Sequence, residues 1–523
     1  MPPVEPSVIA RSNSLPLALF SGQALLVVGL STHIIHHIRV AAASLPPSPS
    51  TRNQTSVRNR NTTVFAVLAL LSIASVTTFS VAWRLLSYLE WADKGSHESP
   101  VGLWTGWYGT GDAGVGTWRL GDWWSDVSLF QQSDEVALHS TGGYLYTTQH
   151  FIGLTAAALF FGVEGRRRNL PKRLIAASVL LSQIGSLGCA LNLFFIVILF
   201  TPIAQHTQEI GRLDATFTPH PALFSLPIVG SLFALLNLPA LIHRGRDITA
   251  LRVGYIAVPF YLAFTPQITP LSWGQRHSSK AAAHRSYVWP FRTIGLSSFV
   301  MCWDLFMTLA TSSAPQNQTP VWDLFRNVVG KQEKPNSFMT TLSNTSEKLK
   351  LISSHPAISV TGSDVLFTTI GLLAWTFIRN LNVNDILENS LLCFLPYGKA
   401  EKHVAFREEL EDEPGFEVEV PVVTPKKRGR PRKSPAVADT TSTGTLRRST
   451  RRRARADYES DAEETYEPPA KARQQVKQIE ADGATDIQDV VRAGESTSLA
   501  LLLTFLGGVG QLAASVLGAE ATA

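Results

Sequence analysis

The chain has 523 residues, of which 45% are hydrophobic and only 17% are charged. An ordinary soluble domain carries about 25% charged residues. The deficit is uneven, because long apolar runs with few ionic groups alternate with short polar or basic connectors. This pattern excludes a single soluble core and predicts a membrane protein.

Cysteine and histidine give no sign of a disulfide framework or a metal centre. The three cysteines lie at or beside apolar runs, without a paired or CxxC spacing. His33, His36 and His37 recur at helical spacing, but neither an HExxH motif nor a nearby carboxylate accompanies them. We therefore expect an interfacial histidine face, with no metal and no cofactor.

Eight apolar runs are long enough to be considered as membrane spans. A bilayer core of about 30 Å requires roughly 20 apolar residues as helix, and lipid leaves an open strand without hydrogen-bond partners. The sixth run is short and is interrupted by Pro259 and Pro266. The runs are 15–38, 62–86, 143–163, 172–201, 219–243, 250–266, 291–312 and 360–380.

The composition divides the chain into three parts. Residues 1–395 form the predicted membrane domain, with an extramembrane loop at 87–142 that is rich in tryptophan and glycine. Residues 396–495 form a charged tail of a composition typical of disorder. The uncharged stretch 496–519 is an additional span, a tail anchor or a helix lying against the others. The predicted fold class is all-α: a polytopic transmembrane bundle of seven to nine spans with a long disordered basic C-terminal tail.

The arginine run at 166–168 predicts the orientation, since short basic loops face the cytoplasm. Loop 87–142 then faces the lumen or the exterior. Eight strict crossings would place the basic tail there too. If 250–266 is re-entrant or interfacial instead, seven crossings place the tail in the cytoplasm, and the glycosylation sequons at Asn317 and Asn344 face outside.

Asp304 lies near the middle of the seventh run. An ionisable group inside the bilayer is expensive and marks a candidate functional site. Asp304 is therefore a candidate catalytic acid that apolar surroundings keep protonated until it delivers its proton. The alternative is a carboxyl group satisfied by a neighbouring helix or placed near an interface.

Other polar groups in the apolar runs have structural interpretations. His150 begins the apolar part of the third run, and Asn192 is expected to hydrogen-bond between helices. Glu164 closes the third run next to the arginines at 166–168, where a solvated ion pair is expected. Asp364 stands near the start of the eighth run and is expected at the membrane interface.

Residues 101–130 contain five of the twelve tryptophans in the chain. One interpretation is an aromatic belt at the membrane interface. The other is the mouth of a substrate site, whose ring faces hold an apolar chain and stabilise developing positive charge. In that case Asp122 and Asp126 are further candidate catalytic carboxylates. The candidate substrate-binding residues are Trp104, Trp107, Trp118, Trp123 and Trp124.

The order of these features resembles a known group of fungal polytopic membrane proteins. The matching segments are the glycine and tryptophan segment 109–121, residues 126–130, FFGVEGRRR at 160–168 and LNLFF at 191–195. The group includes the integral-membrane terpene cyclases of ascofuranone-type meroterpenoid pathways, and the similarity covers about residues 60–310. It implies a proton-initiated cyclisation of a prenyl chain or its epoxide, without metal-diphosphate chemistry. The long basic tail departs from this pattern.

Residues 425–455 contain twelve lysines and arginines and a single aspartate. Within the basic segment 426–433, the tetrapeptide Arg428, Gly429, Arg430 and Pro431 is similar to an AT-hook. In such a motif arginines enter a narrow minor groove and glycine permits close backbone approach. AT-rich DNA is therefore a candidate partner, and a polybasic contact with anionic lipid is the alternative.

Two functions follow as expectations. The first is a membrane-embedded enzyme that acts on a prenylated or other lipophilic substrate, with Asp304 as its proton donor. The second is a non-enzymatic protein of the endoplasmic reticulum or nuclear envelope whose tail binds DNA or anionic lipid. A transporter or receptor-like bundle is a third class, since polar residues within spans serve those roles too. The oligomeric state stays open.

Overall fold

A computed structural model describes residues 11–44, 49–95, 118–129, 132–133, 141–201, 216–243, 249–312, 355–394 and 487–522. The chain divides into two units, of which the first combines Met1–Pro396 with Thr485–Ala523 and the second is Tyr397–Ala484. Residues 396–486 of the predicted tail, with the AT-hook-like tetrapeptide, lie outside the described residues, as do Trp104 and Trp107. The prediction that residues 487–495 belong to the disordered tail is wrong, because they are helical.

Helices form almost all of the described structure. In chain order they are α1 (Ser14–Ser44), α2 (Pro49–Lys94), α3 (Leu120–Asp126), α4 (Thr141–Arg167), α5 (Lys172–Ile184), α6 (Leu187–Phe200), α7 (Ala222–His243), α8 (Thr249–Ile268), α9 (Lys280–Arg285), α10 (Val288–Ser312), α11 (Pro356–Arg379), α12 (Val383–Glu388) and α13 (Ile487–Thr522). Strands β1 (Phe217–Pro219) and β2 (Gly274–Arg276) pair antiparallel.

Five helices among the described residues are long and apolar enough to cross a membrane. They are Ser14–Ser44, Val57–Lys94, Ala222–Leu241, Pro356–Arg379 and Ala493–Thr522. The prediction of an all-α bundle with helices suited to span a membrane is confirmed, whereas the predicted number of seven to nine spans is not. Helix α4 has the longest unbroken buried stretch in the described structure, since its residues from 148 to 165 are all buried against its neighbours.

The predicted span 172–201 is wrong, because the chain breaks between α5 and α6. Ser186 is the N-cap of α6, and its side-chain oxygen accepts a hydrogen bond from the Cys189 amide at 3.0 Å. At 1.5 Å per residue, the 13 residues of α5 and the 14 of α6 each extend about 20 Å. Neither helix reaches across a core of about 30 Å.

The two short helices instead form a hairpin that enters and leaves at one end of the bundle. Arg168 stands four residues before α5, and its Nη1 donates to the carbonyls of Ile198 and Thr201 at the end of α6. The start of α5 and the end of α6 therefore lie together. We call the end of the bundle that carries the arginines at 166–168 the basic end.

The sixth run, 250–266, forms one helix, since α8 is continuous through both of its prolines. It is not among the five helices that are long and apolar enough to cross a membrane, so its re-entrant or interfacial placement stays a prediction. It packs closely against α4, where a Cβ at Gly162 would collide with the backbone of Ala263. Arg166 Nη1 donates to the Pro266 carbonyl at 2.9 Å and holds the C-terminus of α8 at the basic end.

Helix α13 returns the C-terminus of the chain to the bundle. It runs antiparallel to α10, with Ser298 Oγ donating to the Gly507 carbonyl at 2.7 Å and Trp303 Nε1 to the Leu506 carbonyl at 2.9 Å. It kinks at Gly508, which has φ 72°. The stretch 496–519 is thus helical and packs against the others, and it belongs to one of the five helices that are long and apolar enough to cross a membrane.

Helices α11 and α13 run in the same direction. Arg379, the last residue of α11, and Glu520, close to the end of α13, pair at 2.8 Å. Both helices therefore end at the basic end.

Candidate functional site

The most constrained polar group in the described structure is Asp364. It lies on α11 and is 3% exposed, inside the bundle. The expected interfacial position is therefore wrong. A buried carboxylate in an apolar bundle requires donors or a counter-ion.

The break between α5 and α6 provides those donors. Asp364 Oδ1 accepts from Ser186 Oγ at 2.7 Å and from the Gly188 amide at 2.8 Å. Asp364 Oδ2 accepts from the Leu187 amide at 2.7 Å. The carboxylate thus occupies the N-terminus of α6, where free amides and the helix dipole favour negative charge. These bonds stabilise its ionised form.

His150 on α4 extends the site. Its Nε2 lies 3.0 Å from Asp364 Oδ2, and its Nδ1 lies 2.9 Å from Tyr255 Oη on α8. Two proton arrangements fit this geometry. Neutral His150 donates to Asp364 and accepts from Tyr255, whereas the imidazolium donates to both. We call the three side chains the Asp364–His150–Tyr255 chain.

A serine from α2 completes the enclosure of the carboxylate. Ser72 Oγ lies 2.7 Å from Ser186 Oγ and 3.3 Å from Asp364 Oδ1. The group therefore joins α2, α4, α8 and α11 to the α5–α6 hairpin. Asp364 and His150 are buried, whereas Tyr255 is partly exposed. The chain therefore leads from a buried charge on α11 to a tyrosine on α8 that is partly exposed as a residue.

A second polar cluster lies at the basic end. Glu164 is fully buried and pairs with Arg167 at 3.2 Å and with Arg168 at 2.6 Å. The expected ion pair is present, but the expectation of solvation is wrong. A cavity of about 240 Å³ lies beside it. Its lining residues are Arg167, Arg168, Arg379, Asn380, Leu381, Asn382, Asp385, Ala519 and Glu520.

The cavity at the basic end is lined by both arginines and carboxylates, so its charge does not favour the binding of an anion. Glu520 pairs with Arg379 at 2.8 Å and lies 3.9 Å from Arg168 Nη2. Arg167 Nη1 also donates to the Glu520 carbonyl at 3.0 Å. These arginines join the C-terminal ends of α4, α11 and α13, where cations are favoured by the helix dipoles.

His284 on α9 is the group near this cluster whose protonation is most perturbed. Burial, then the positive charges of Arg167 and Lys280, lower its pKa to about 4. Its Nδ1 is enclosed and has no hydrogen-bond partner within the described ranges. His284 is therefore neutral at physiological pH.

The candidate acid Asp304 lies on α10, with its side chain exposed. It interacts electrostatically with Tyr144, near the start of α4. The described residues do not provide the enclosed apolar surroundings that the sequence predicts for it. The structure does not join Asp304 to the Asp364–His150–Tyr255 chain through any described hydrogen bond.

The other candidate carboxylates have hydrogen-bond partners near α3. Asp122 Oδ1 accepts from the Arg11 amide at 3.0 Å, and Asp126 Oδ2 accepts from Trp91 Nε1 at 3.2 Å. These contacts tie the segment around α3 to the start of α1 and the end of α2. Their assignment as catalytic residues stays a prediction.

The described tryptophans of this segment form a packed cluster with Tyr88. Trp118 and Trp123 are buried, and their ring centroids lie 4.7 Å and 6.0 Å from that of Tyr88. Trp124 is partly buried and makes an edge contact with Phe20 at 5.6 Å. This packing matches the belt interpretation more closely than an open aromatic mouth. A substrate-binding role for these residues stays a prediction.

Sequence reasoning singled out His150 and Asp364 but did not pair them, and it missed Tyr255. The pair is 214 residues apart in the chain, so no local spacing connects it. Tyr255 lies in a run that looks like ordinary apolar helix. The one available signal was the pair Gly185 and Ser186, a glycine before an N-cap residue in the middle of a long apolar run.

Comparison of the chain with protein-family models, with curated proteins and with solved structures finds no match. The functional argument therefore depends on the geometry of the described residues.

The lowered pKa of His284 predicts a pH dependence of stability. The unfolded chain binds a proton near the ordinary pKa of 6.5, whereas the folded chain resists protonation down to about pH 4. Stability is therefore lost as pH falls through this window. We expect His284→Gln to reduce the loss of thermal stability between pH 7.5 and 5.0 in detergent. The exposed His220, changed to Gln, is the control, and an equal loss in both variants would contradict the assignment.

Proposed function

We propose that the chain is a membrane-embedded enzyme that transfers a proton to a lipophilic substrate. The Asp364–His150–Tyr255 chain carries this proposal, because it combines a buried charge, an imidazole and the hydroxyl group of a tyrosine residue that is itself partly exposed. Ionisable groups held inside a membrane bundle are typical of proton relays and catalytic sites. Proton-initiated terpene cyclisation, which the sequence resemblance implies, is the reaction class that fits.

In the proposed step His150 begins as the imidazolium, held by the Asp364 carboxylate. Tyr255 donates its hydroxyl proton to the substrate oxygen or alkene and accepts the Nδ1 proton of His150 at the same time. Tyr255 ends neutral, His150 ends as neutral imidazole, and the substrate gains one proton. The later loss of a proton from the cyclised cation balances the reaction and returns the proton to the relay.

The surroundings of Tyr255 support a lipophilic substrate. Its neighbours Val253 and Ile256 on α8 are 60% and 55% exposed. Such an apolar surface faces lipid in a membrane bundle, so a prenyl chain reaches Tyr255 from the bilayer. Asp304, Asp122 and Asp126 are alternative proton donors under the same function.

We expect Tyr255→Phe to reduce turnover by about a hundredfold or more, since general acid catalysis typically contributes this much. The change removes one hydroxyl group and keeps the ring. The assay uses an epoxidised farnesyl phenol in lipid nanodiscs and detects the cyclised isomer by chromatography and mass spectrometry. Tyr261→Phe, on the same helix, is the matched control.

Three outcomes decide the assignment of the acid. Loss of product in Tyr255→Phe alone supports the proposal. Loss in Asp304→Asn with full activity in Tyr255→Phe moves the acid to Asp304. If the intact protein converts no prenylated epoxide, the terpene cyclase proposal fails.

We further propose a topology of seven crossings before the tail, by α1, α2, α4, α7, α8, α10 and α11, with the basic end in the cytoplasm. The hairpin geometry of α5–α6 supports this count, since it removes one crossing from the eight apolar runs. The connection 313–354 then faces the lumen.

The topology predicts glycan attachment at Asn317 and Asn344. We expect a gel shift that an endoglycosidase reverses, and that is lost in Asn317→Gln and Asn344→Gln. Sequons at Asn53 and Asn61 should stay unmodified, because they follow α1 on the cytoplasmic side. Glycans attached only at Asn53 and Asn61 would show that the orientation is the reverse of the proposed one. A glycosylation sequon engineered beside Arg428 is modified only if the tail lies on the luminal side of the membrane.

The AT-hook-like tetrapeptide supports a second proposal, a chromatin contact at the nuclear envelope. Arg428→Ala with Arg430→Ala should remove a nuclear-rim signal of the tagged chain in microscopy. Arg451→Ala with Arg452→Ala removes equal charge outside the motif and is the control. Equal loss in both variants would indicate polybasic lipid binding, and an unchanged reticular signal would contradict the tether.

A further inference from the structure

Three buried polar atoms line the interface between α6 and α11 without a hydrogen-bond partner among the described residues. They are Thr368 Oγ1, Asn192 Oδ1 and Trp375 Nε1. Their residues are at most 1% exposed. Buried polar atoms in folded proteins nearly always bind a protein group or an ordered water molecule.

These atoms follow one stripe of α11 that begins at Asp364. Thr368 and Trp375 stand four and eleven residues after Asp364, which places all three on one helix face. Asn192 on α6 lies between them, because a Cβ at Gly371 would approach its side-chain amide within 2.7–3.1 Å. The stripe runs from the carboxylate toward the basic end.

Glycines keep the two helices close along the stripe. A Cβ at Gly188 would lie 3.3 Å from Asp364 Oδ1 and 3.2 Å from the Thr368 amide. The Asn192 amide group donates to the Gly188 carbonyl at 2.7 Å, which leaves its oxygen directed elsewhere. The unpartnered atoms thus share one narrow, polar interface, the setting in which buried water is found.

Aromatic rings close the stripe before it reaches the basic end. Trp375 stacks on Phe195 at 4.2 Å and lies 5.6 Å from Phe65. Its indole N–H is the last unpartnered donor of the stripe, and Arg379 follows one turn later on α11. The polar interface is therefore separated from the ion pairs of Arg379 and Glu520 by packed rings.

We propose that the α6–α11 interface binds a short file of water molecules that exchanges protons with Asp364 and His150. Thr368, Asn192 and Trp375 position the waters, and the aromatic rings limit their exchange with the basic end. The inference deepens the proposed function, since it provides the route by which His150 is reprotonated. Binding of the waters does not itself require that the protein be an enzyme.

The test measures proton exchange without a substrate. The protein in lipid nanodiscs receives a pH jump, and time-resolved infrared spectroscopy follows the carboxyl and imidazole bands that disappear in Asp364→Asn and His150→Gln. We expect Thr368→Val and Asn192→Leu to slow the exchange about tenfold, because each removes one water partner. Thr369→Val is the matched control, since that hydroxyl bonds to the Val365 carbonyl at 2.8 Å. It should leave the rate unchanged.

Exchange rates in Thr368→Val and Asn192→Leu equal to that of the intact protein would overturn the proposal. A high-resolution structure with no water density between α6 and α11 would overturn it independently, even if a variant folds poorly. The enzyme proposal is tested separately by Tyr255→Phe. If exchange is slowed in Thr368→Val and Asn192→Leu but the intact protein forms no product, the water file is supported and the catalytic role is contradicted.

Discussion

The burial of one carboxylate constrains the whole bundle. Asp364 cannot be solvated by lipid or by apolar side chains, so its position requires several donors to meet at one point. The chain meets this requirement by breaking a helix, because only a helix N-terminus presents free amides inside a bundle. The position of the hairpin, the burial of α4 and the approach of α8 are all consistent with that requirement.

At the basic end, free carbonyl groups at helix C-termini favour positive charge, just as free amides at the N-terminus of α6 favour the negative charge of Asp364. Carbonyl groups at or just after the C-termini of α6, α8 and α13 accept hydrogen bonds there from the arginines at 166–168. Glu164 pairs with Arg167 and Arg168, and Glu520 pairs with Arg379. Breaking a buried pair leaves an uncompensated charge, so such clusters specify an arrangement more than they stabilise it. The cluster fixes α13 in place, although 92 residues separate Phe394 from Ile487.

Much of the fold could be predicted from the sequence, whereas the site could not. Each predicted apolar run coincides with helix, because length and hydropathy are local properties. The break at Gly185 and Ser186 was not predicted. An uncharged run of sufficient length satisfies the criteria of length and hydropathy whether it crosses the membrane or turns back. The partners of Asp364 come from α2, α4 and the α5–α6 hairpin, and single-sequence patterns carry no information on such distant pairings. Asp304 drew attention because it is charged within an apolar run, yet its side chain is exposed.

The central claim is that Asp364 and His150 act as one buried unit, and a double-mutant cycle tests it most directly. Asp364→Asn, His150→Gln and the combined variant are compared with the intact protein by their free energies of unfolding in detergent micelles. The account predicts a coupling of at least about 1 kcal/mol, as expected for bonded buried groups. Single effects that add to within about 0.3 kcal/mol would show two independent side chains and contradict the account.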